Sequence, residues 1–163
     1  LKYLWELGKP GPYAVRSTQQ FQRWRVLGNA KPELLTEIPN LVVFETDVLA
    51  NGLWGSAYAL VDGNLPLDEI ADRQKSKVFY LQGEIEVVEA GSATLNFDSA
   101  SGLQVWLGKE IVNTPAGATV DLKVGRQTLT IRVDTTARHE TVLRLELTRP
   151  EGTHAQFQVV DGQ

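Results

Sequence analysis

The sequence contains no cysteine and no methionine. Without cysteine there is no disulfide, no thiolate metal site and no cysteine nucleophile. The absence does not name a compartment, because exported bacterial domains also do without cysteine. The missing methionine reads Leu1 as lying downstream of a native start, so the chain is expected to be a piece of a longer protein. No apolar run approaches the ~20 residues that a membrane span needs, and no signal peptide is visible. Basic charge is also short. Sixteen Lys and Arg face twenty Asp and Glu, for a net charge of −4, which argues against a nucleic-acid partner whose phosphates call for a basic face.

What is present is a regular alternation of strands and turns. Fourteen glycines in 163 residues suit many tight connections. Beyond Val78 the pattern is uniform, with strands expected over 78–81, 84–88, 93–97, 103–107, 119–122, 128–133, 141–147 and 155–160 and a break at Gly83. Leu129, Ile131 and Val133 alternate with Thr130 and Arg132, and Leu143, Leu145 and Leu147 alternate with Arg144 and Glu146. Period-two strands at this spacing predict a mostly antiparallel β-sandwich with one face of each sheet buried. The first half is less regular. A helix end is expected over Leu1–Leu7, stopped by Gly8 and Pro10. A strand follows over 21–27, with Trp24, Val26 and Gln22 on one face and Phe21, Arg23, Arg25 and Leu27 on the other. A short helix over 31–37 has Pro32 in its first turn. The β-branched run 41–48 predicts a strand, with 53–61 as its hairpin partner across Asn51-Gly52. Residues 67–75 suit a helix or a loop. The expected organisation is therefore residues 1–15 as the end of a preceding helix plus a linker, and 16–163 as a single β-sandwich domain ending naturally at 161–163.

Two stretches resemble known families. "DSASGLQVWLGKEIV" (98–112), followed by "VDLKVGRQTLTIRVD" (120–134), resembles PA14-like, jelly-roll sandwiches that display ligand-binding loops. "YLWELGKPGPYAV" (3–15) with "FQRWRVLG" (21–28) resembles the segment that follows a c-type haem domain in large exported proteins of planctomycetes. The resemblance implies an extracytoplasmic location, periplasmic or cell-surface, and an adjacent c-type haem domain as neighbour. No Cys-x-x-Cys-His is present, so no haem is held covalently in this segment. Sugar-binding PA14-like domains that use calcium do so through two adjacent aspartates, and this sequence has no Asp-Asp pair.

Candidate ligand-binding residues are aromatic. Trp54 and Tyr58 share a strand face near Asn51, Ser56 and Asn64, and an aromatic plane suits the C–H face of a sugar. The same aromatics in a tight hairpin would simply pack on the sheet. Trp106 points with Gln104 away from the aliphatic trio Leu103, Val105 and Leu107. It is either a stacking surface or a ring covered by the N-terminal segment or a loop. Trp24, between Arg23 and Arg25, suits an anionic sugar, a neighbouring domain or a structural strand with snorkelling arginines. Asp98 suits a turn cap or a ligand contact. The acids Asp62, Asp68, Glu69 and Asp72 supply oxygens of the kind calcium takes, but their spacing matches no calcium loop, and a solvated face accounts for them. Calcium is the only cofactor left open, and none is expected in this segment. His139 and His154, the only histidines, stand without a nucleophile motif or a phosphate loop, so no catalytic constellation is legible. The expected function is a non-catalytic module that binds carbohydrate or polysaccharide. The alternatives are a structural docking domain on the haem domain or a partner subunit, and a hydrolase or lyase with acids gathered in one groove.

Overall fold

The computed structural model describes residues 18–28, 30–51, 54–60, 62–113 and 117–160. The helix expected at Leu1–Leu7, the linker that follows it, Trp5, Gly52 and the tail at 161–163 lie outside these residues. Antiparallel strands form two packed sheets, as the alternating sequence predicts, and the fold is a β-sandwich.

In chain order, β1 (Thr18–Gln20) and β2 (Arg23–Leu27) precede α1 (Pro32–Thr36) and a second helical segment, α2 (Leu41–Val43), which widens into a π-helical turn over Phe44–Leu49. Then come β3 (Trp54–Tyr58), β4 (Leu65–Pro66), α3 (Leu67–Gln74), β5 (Val78–Glu89), β6 (Gly91–Phe97), β7 (Leu103–Leu107) and β8 (Glu110–Val112). The chain closes with β9 (Ala118–Leu122), β10 (Gly125–Asp134), β11 (Val142–Leu143), β12 (Leu145–Thr148) and β13 (Gln156–Val159). The smaller sheet has the order β9-β6-β12-β1. The larger has the order β3-β2-β5-β10-β7-β8, with β13 also paired to β5, and β4 pairs β11 apart from both. Leu81, Ile85, Val105, Leu129 and Ile131 of the larger sheet meet Ala93, Leu95, Leu145 and Leu147 of the smaller in one buried core. The buried Gln19 amide ties the sheets together. From β1 it donates to the Phe157 carbonyl and accepts from the Val159 N–H of β13, both at 2.8 Å.

Four expectations are corrected. Residues 41–48 are helical, not a strand. The Asn40 side chain accepts from the Val43 N–H at 2.9 Å and caps the segment. Phe44 and Val48, four residues apart, fall on one helical face and are fully buried. Local β-preference gives way to that burial. Consequently β3 pairs with β2, Trp24 opposite Ala57, rather than with 41–48. Gly83 does not break a strand, because β5 runs through it. Phe21 does not join Arg23 on the outer face. It precedes β2 and stacks on Trp24 in the core, with ring centroids 5.1 Å apart.

Gly83 and Phe21 explain each other. A Cβ at residue 83 would sit 2.7 Å from the Phe21 ring and 3.2 Å from that of Trp24, so the aromatic pair fills the space a side chain would take. The expected 67–75 element is helix α3, with Leu67 and Ile70 buried and Asp68 and Glu69 in its first turn, favourably placed for the helix dipole. It ends on Lys75, which holds the left-handed conformation (φ 54°, ψ 39°) while its N–H donates to the carbonyls of Ala71 and Asp72.

Gly83→Ala is expected to cost about 1–3 kcal/mol by overpacking against Phe21, read as a lower midpoint in thermal unfolding. An unchanged midpoint would mean that the ring moves aside freely. Lys75→Gly is expected to gain about 1 kcal/mol by relieving the left-handed side chain, read in the same experiment.

Candidate functional site

The outward face of the larger sheet divides into a covered half and an open half. In the covered half, Phe44 stacks on Trp106 at 4.3 Å between centroids with an interplanar angle of 18°, and Tyr80 lies 6.4 Å from the same indole. Leu27, Leu34 and Val48 complete this second apolar cluster, and Trp54 packs partly against it. The Tyr80 hydroxyl donates to the Leu34 carbonyl at 2.9 Å. The Arg132 guanidinium donates to the carbonyls of Leu34 and Leu35 at 3.3 and 3.2 Å. These bonds satisfy carbonyls of α1 that have no partner within so short a helix. Burial pushes the Tyr80 hydroxyl up to about 12, against the opposing pull of Arg132, so the phenol remains a donor through the neutral range.

In the open half, the register places Arg23 opposite Tyr58, Arg25 opposite Ser56 and Leu27 opposite Trp54. On the next strand Gln82 stands opposite Arg25. Tyr58 is 62% exposed, and the Arg23 guanidinium lies over its ring, 5.8 Å from the centroid. No ion pair of Arg23 occurs among the described residues, whereas Arg25 bonds Gln82 at 3.0 Å and pairs with Glu84 at 3.3 Å. Glu84 in turn pairs with Arg126, which also binds Glu86. The Arg126 pKa is raised above its usual range, chiefly through the hydrogen bonds that its guanidinium donates to Glu86. Arg23, Arg25, Gln82, Gly83, Glu84 and Val160 line a groove of about 240 Å³. The arrangement offers a ring face, a cation with no ion pair among the described residues, a hydroxyl group and paired carboxylates. It suits hydrogen bonding to a polyhydroxylated or anionic ligand, with no group poised as a nucleophile.

Of the residues picked out by sequence, Trp54 and Tyr58 do share a strand face, about 13 Å apart along the strand. Trp54 leans into the covered half and Tyr58 into solvent. Trp106 does point away from the aliphatic trio, but the helical segment covers it and leaves it 2% exposed. Trp24 is 1% exposed, in the main core. Neither indole presents a ring face at the surface. Arg23, not Trp24, points outward from its strand, and its place opposite Tyr58 could not be read before the β2–β3 pairing was known.

Asp98 lies far from this strip in sequence and partners. Its carboxylate accepts from the Arg138 guanidinium at 2.8 Å and from the Arg144 N–H at 3.2 Å, and its own N–H donates to the Arg144 carbonyl. The Arg138 side chain is wholly buried and also donates to the carbonyls of Ser99, Ser101 and Val142. Asp98 thus supplies the counter-charge of an arginine that clamps two loops. The acids of α3 remain on the surface, His139 and His154 are exposed, and no three His, Asp or Glu side chains gather around a metal-sized space among the described residues.

Asp98→Ala is expected to cost about 2–3 kcal/mol by stranding the buried Arg138 cation, which lowers Tm by roughly 5–10 °C for a chain of this size. A calorimetric scan at neutral pH checks this; an unchanged Tm would leave Asp98 free for another role. In comparisons with known proteins, no family model matches this chain and no curated protein does, so the site rests on its own geometry.

Proposed function

We propose that the chain is a non-catalytic binding module of an exported multidomain protein and takes carbohydrate on the open half of its larger sheet. The exposed Tyr58 ring beside Arg23 carries this reading. Sugar rings stack on aromatic faces through their C–H groups, and their hydroxyls need donors and acceptors at the rim. Ser56, Arg25 and Glu84 supply those on the same open half of the sheet. The extracytoplasmic setting follows from the PA14-like and haem-domain resemblances and from nothing in the geometry.

A second reading, a domain that docks on an adjacent c-type haem domain or a partner subunit, has its own observation. Ile38, Leu41 and Val42 are all more than half exposed on the helical layer. Three exposed apolar side chains so close in sequence are a feature of contact surfaces.

The test titrates the folded chain with a panel of neutral, uronate-bearing and sulfated polysaccharides, with tryptophan fluorescence as readout and Trp54 as the nearest reporter. Saturable binding is expected, unaffected by calcium chelation and weakened about tenfold or more in Tyr58→Ala, through loss of roughly 1.4 kcal/mol of stacking. No binding across the panel by a folded chain would overturn the carbohydrate reading. Loss of association with the haem domain in Val42→Asp would then favour docking.

A further inference from the structure

Lys75 is the only non-glycine residue with positive φ among the described residues. A left-handed residue after a helix is ordinarily glycine, which has no Cβ to clash. A lysine held there at a conformational cost directs attention to its side chain, because such costs gather where a side chain has a task.

Lys75 and Ser76 form the wall between two grooves. One, of about 590 Å³, is polar and includes Asp68, Asp72, Lys77 and Thr135. The other, of about 480 Å³, lies between α1, α3 and the start of β5. Its apolar lining includes the part-buried Ala30, Leu35 and Val78, and Arg73 and Lys75 line it as well. That volume falls within the roughly 300–1,000 Å³ of small-molecule sites. The Ser76 hydroxyl is already engaged, donating to the Val78 carbonyl and accepting from the Val78 N–H. Arg73 and Lys75 have no ion pair among the described residues, and Asp68 and Asp72 line the other groove, which Lys75 also borders.

We infer that the groove between α1 and α3 is a ligand site separate from the sheet face, and that it takes a small anion with an apolar body. Its carboxylate or sulfate is held by Lys75 and Arg73, and its hydrocarbon lies against Ala30, Leu35 and Val78. An apolar lining alone would accept any hydrophobe. Two cations with no ion pair among the described residues favour the anionic ones, as charge complementarity selects among ligands of equal shape. The inference does not rest on the carbohydrate reading.

Calorimetric titration of the folded chain with octanoate and octyl sulfate, each kept monomeric, tests it, with uncharged octyl glucoside as control. Both anions are expected to bind at least tenfold more tightly than the glucoside. Lys75→Gly and Arg73→Gln are each expected to weaken the anions about tenfold, and Tyr58→Ala to leave them unchanged. Lys75→Gly is informative because relief of the left-handed side chain keeps the fold intact while the cation is lost. Equal binding of the glucoside, full binding by Lys75→Gly, or no binding of either anion would each overturn the proposal.

Discussion

The stack of Phe44 on Trp106, 4.3 Å between centroids, is the contact on which the outer architecture depends. A sandwich sheet ordinarily buries one face and wets the other. Here half of the outward face carries Trp106, Tyr80 and Leu27, too much apolar surface to leave in water. The chain between β2 and β3 answers by folding as helix and laying Phe44 and Val48 over it. Once that layer exists, its ends must be satisfied. Tyr80 and Arg132 donate to the last carbonyls of α1 from the same face that the layer covers. Stacking and hydrogen bonding thus act at one place. They decide which tryptophans are hidden, where the open strip begins and where the groove beside α3 lies.

The central strand β5 makes the division possible. Phe79, Leu81 and Ile85 point to the main core, while Tyr80, Gln82 and Glu84 point outward and change from apolar contact to charge along the strand. At the changeover stands Gly83, whose missing side chain lets Phe21 and Trp24 close against the strand. The inward face therefore stays sealed under the polar strip. The strip can then consist of exposed ion pairs such as Arg25–Glu84 and Arg126–Glu86, which add little to stability. Substitutions among these charges leave the fold almost untouched, so such a face is open to alteration for binding.

The sandwich was legible wherever alternation was governed by a single buried face. The period of Leu129, Ile131 and Val133 needed only its own strand to be read, and so did the outward direction of Trp106. Legibility failed where a residue's environment came from elsewhere in the chain. Leu41-Val42-Val43 has the composition of a strand, and what makes it helical is a cap at Asn40 and a tryptophan more than sixty residues away. Trp24 looked available between two arginines, but Phe21 and Gly83 enclose it. Asp98 had the form of a turn residue, and its partner Arg138 forty positions on gives it a structural duty no local pattern shows. The candidate strip was half visible. Tyr58 could be named from its own stretch, but Arg23 joins it only through strand pairing.

A sandwich whose outward face is partly thatched by helices has three kinds of surface, and they differ in what they can recognise. The open strip offers one ring and a set of hydrogen-bonding side chains, so its selectivity depends on the placing of hydroxyls and charge. The helical layer offers the exposed apolar Ile38, Leu41 and Val42, so it discriminates mainly by shape. The groove beside α3 joins an apolar lining to two cations and so can require both features of one ligand. The last is the most demanding of the three, and it is also where the backbone holds a lysine in a conformation suited to glycine. An accidental crevice would gain stability from glycine at that position. A lysine held in that conformation at the edge of the groove is the physical reason to test the groove as a site rather than a gap between α1 and α3.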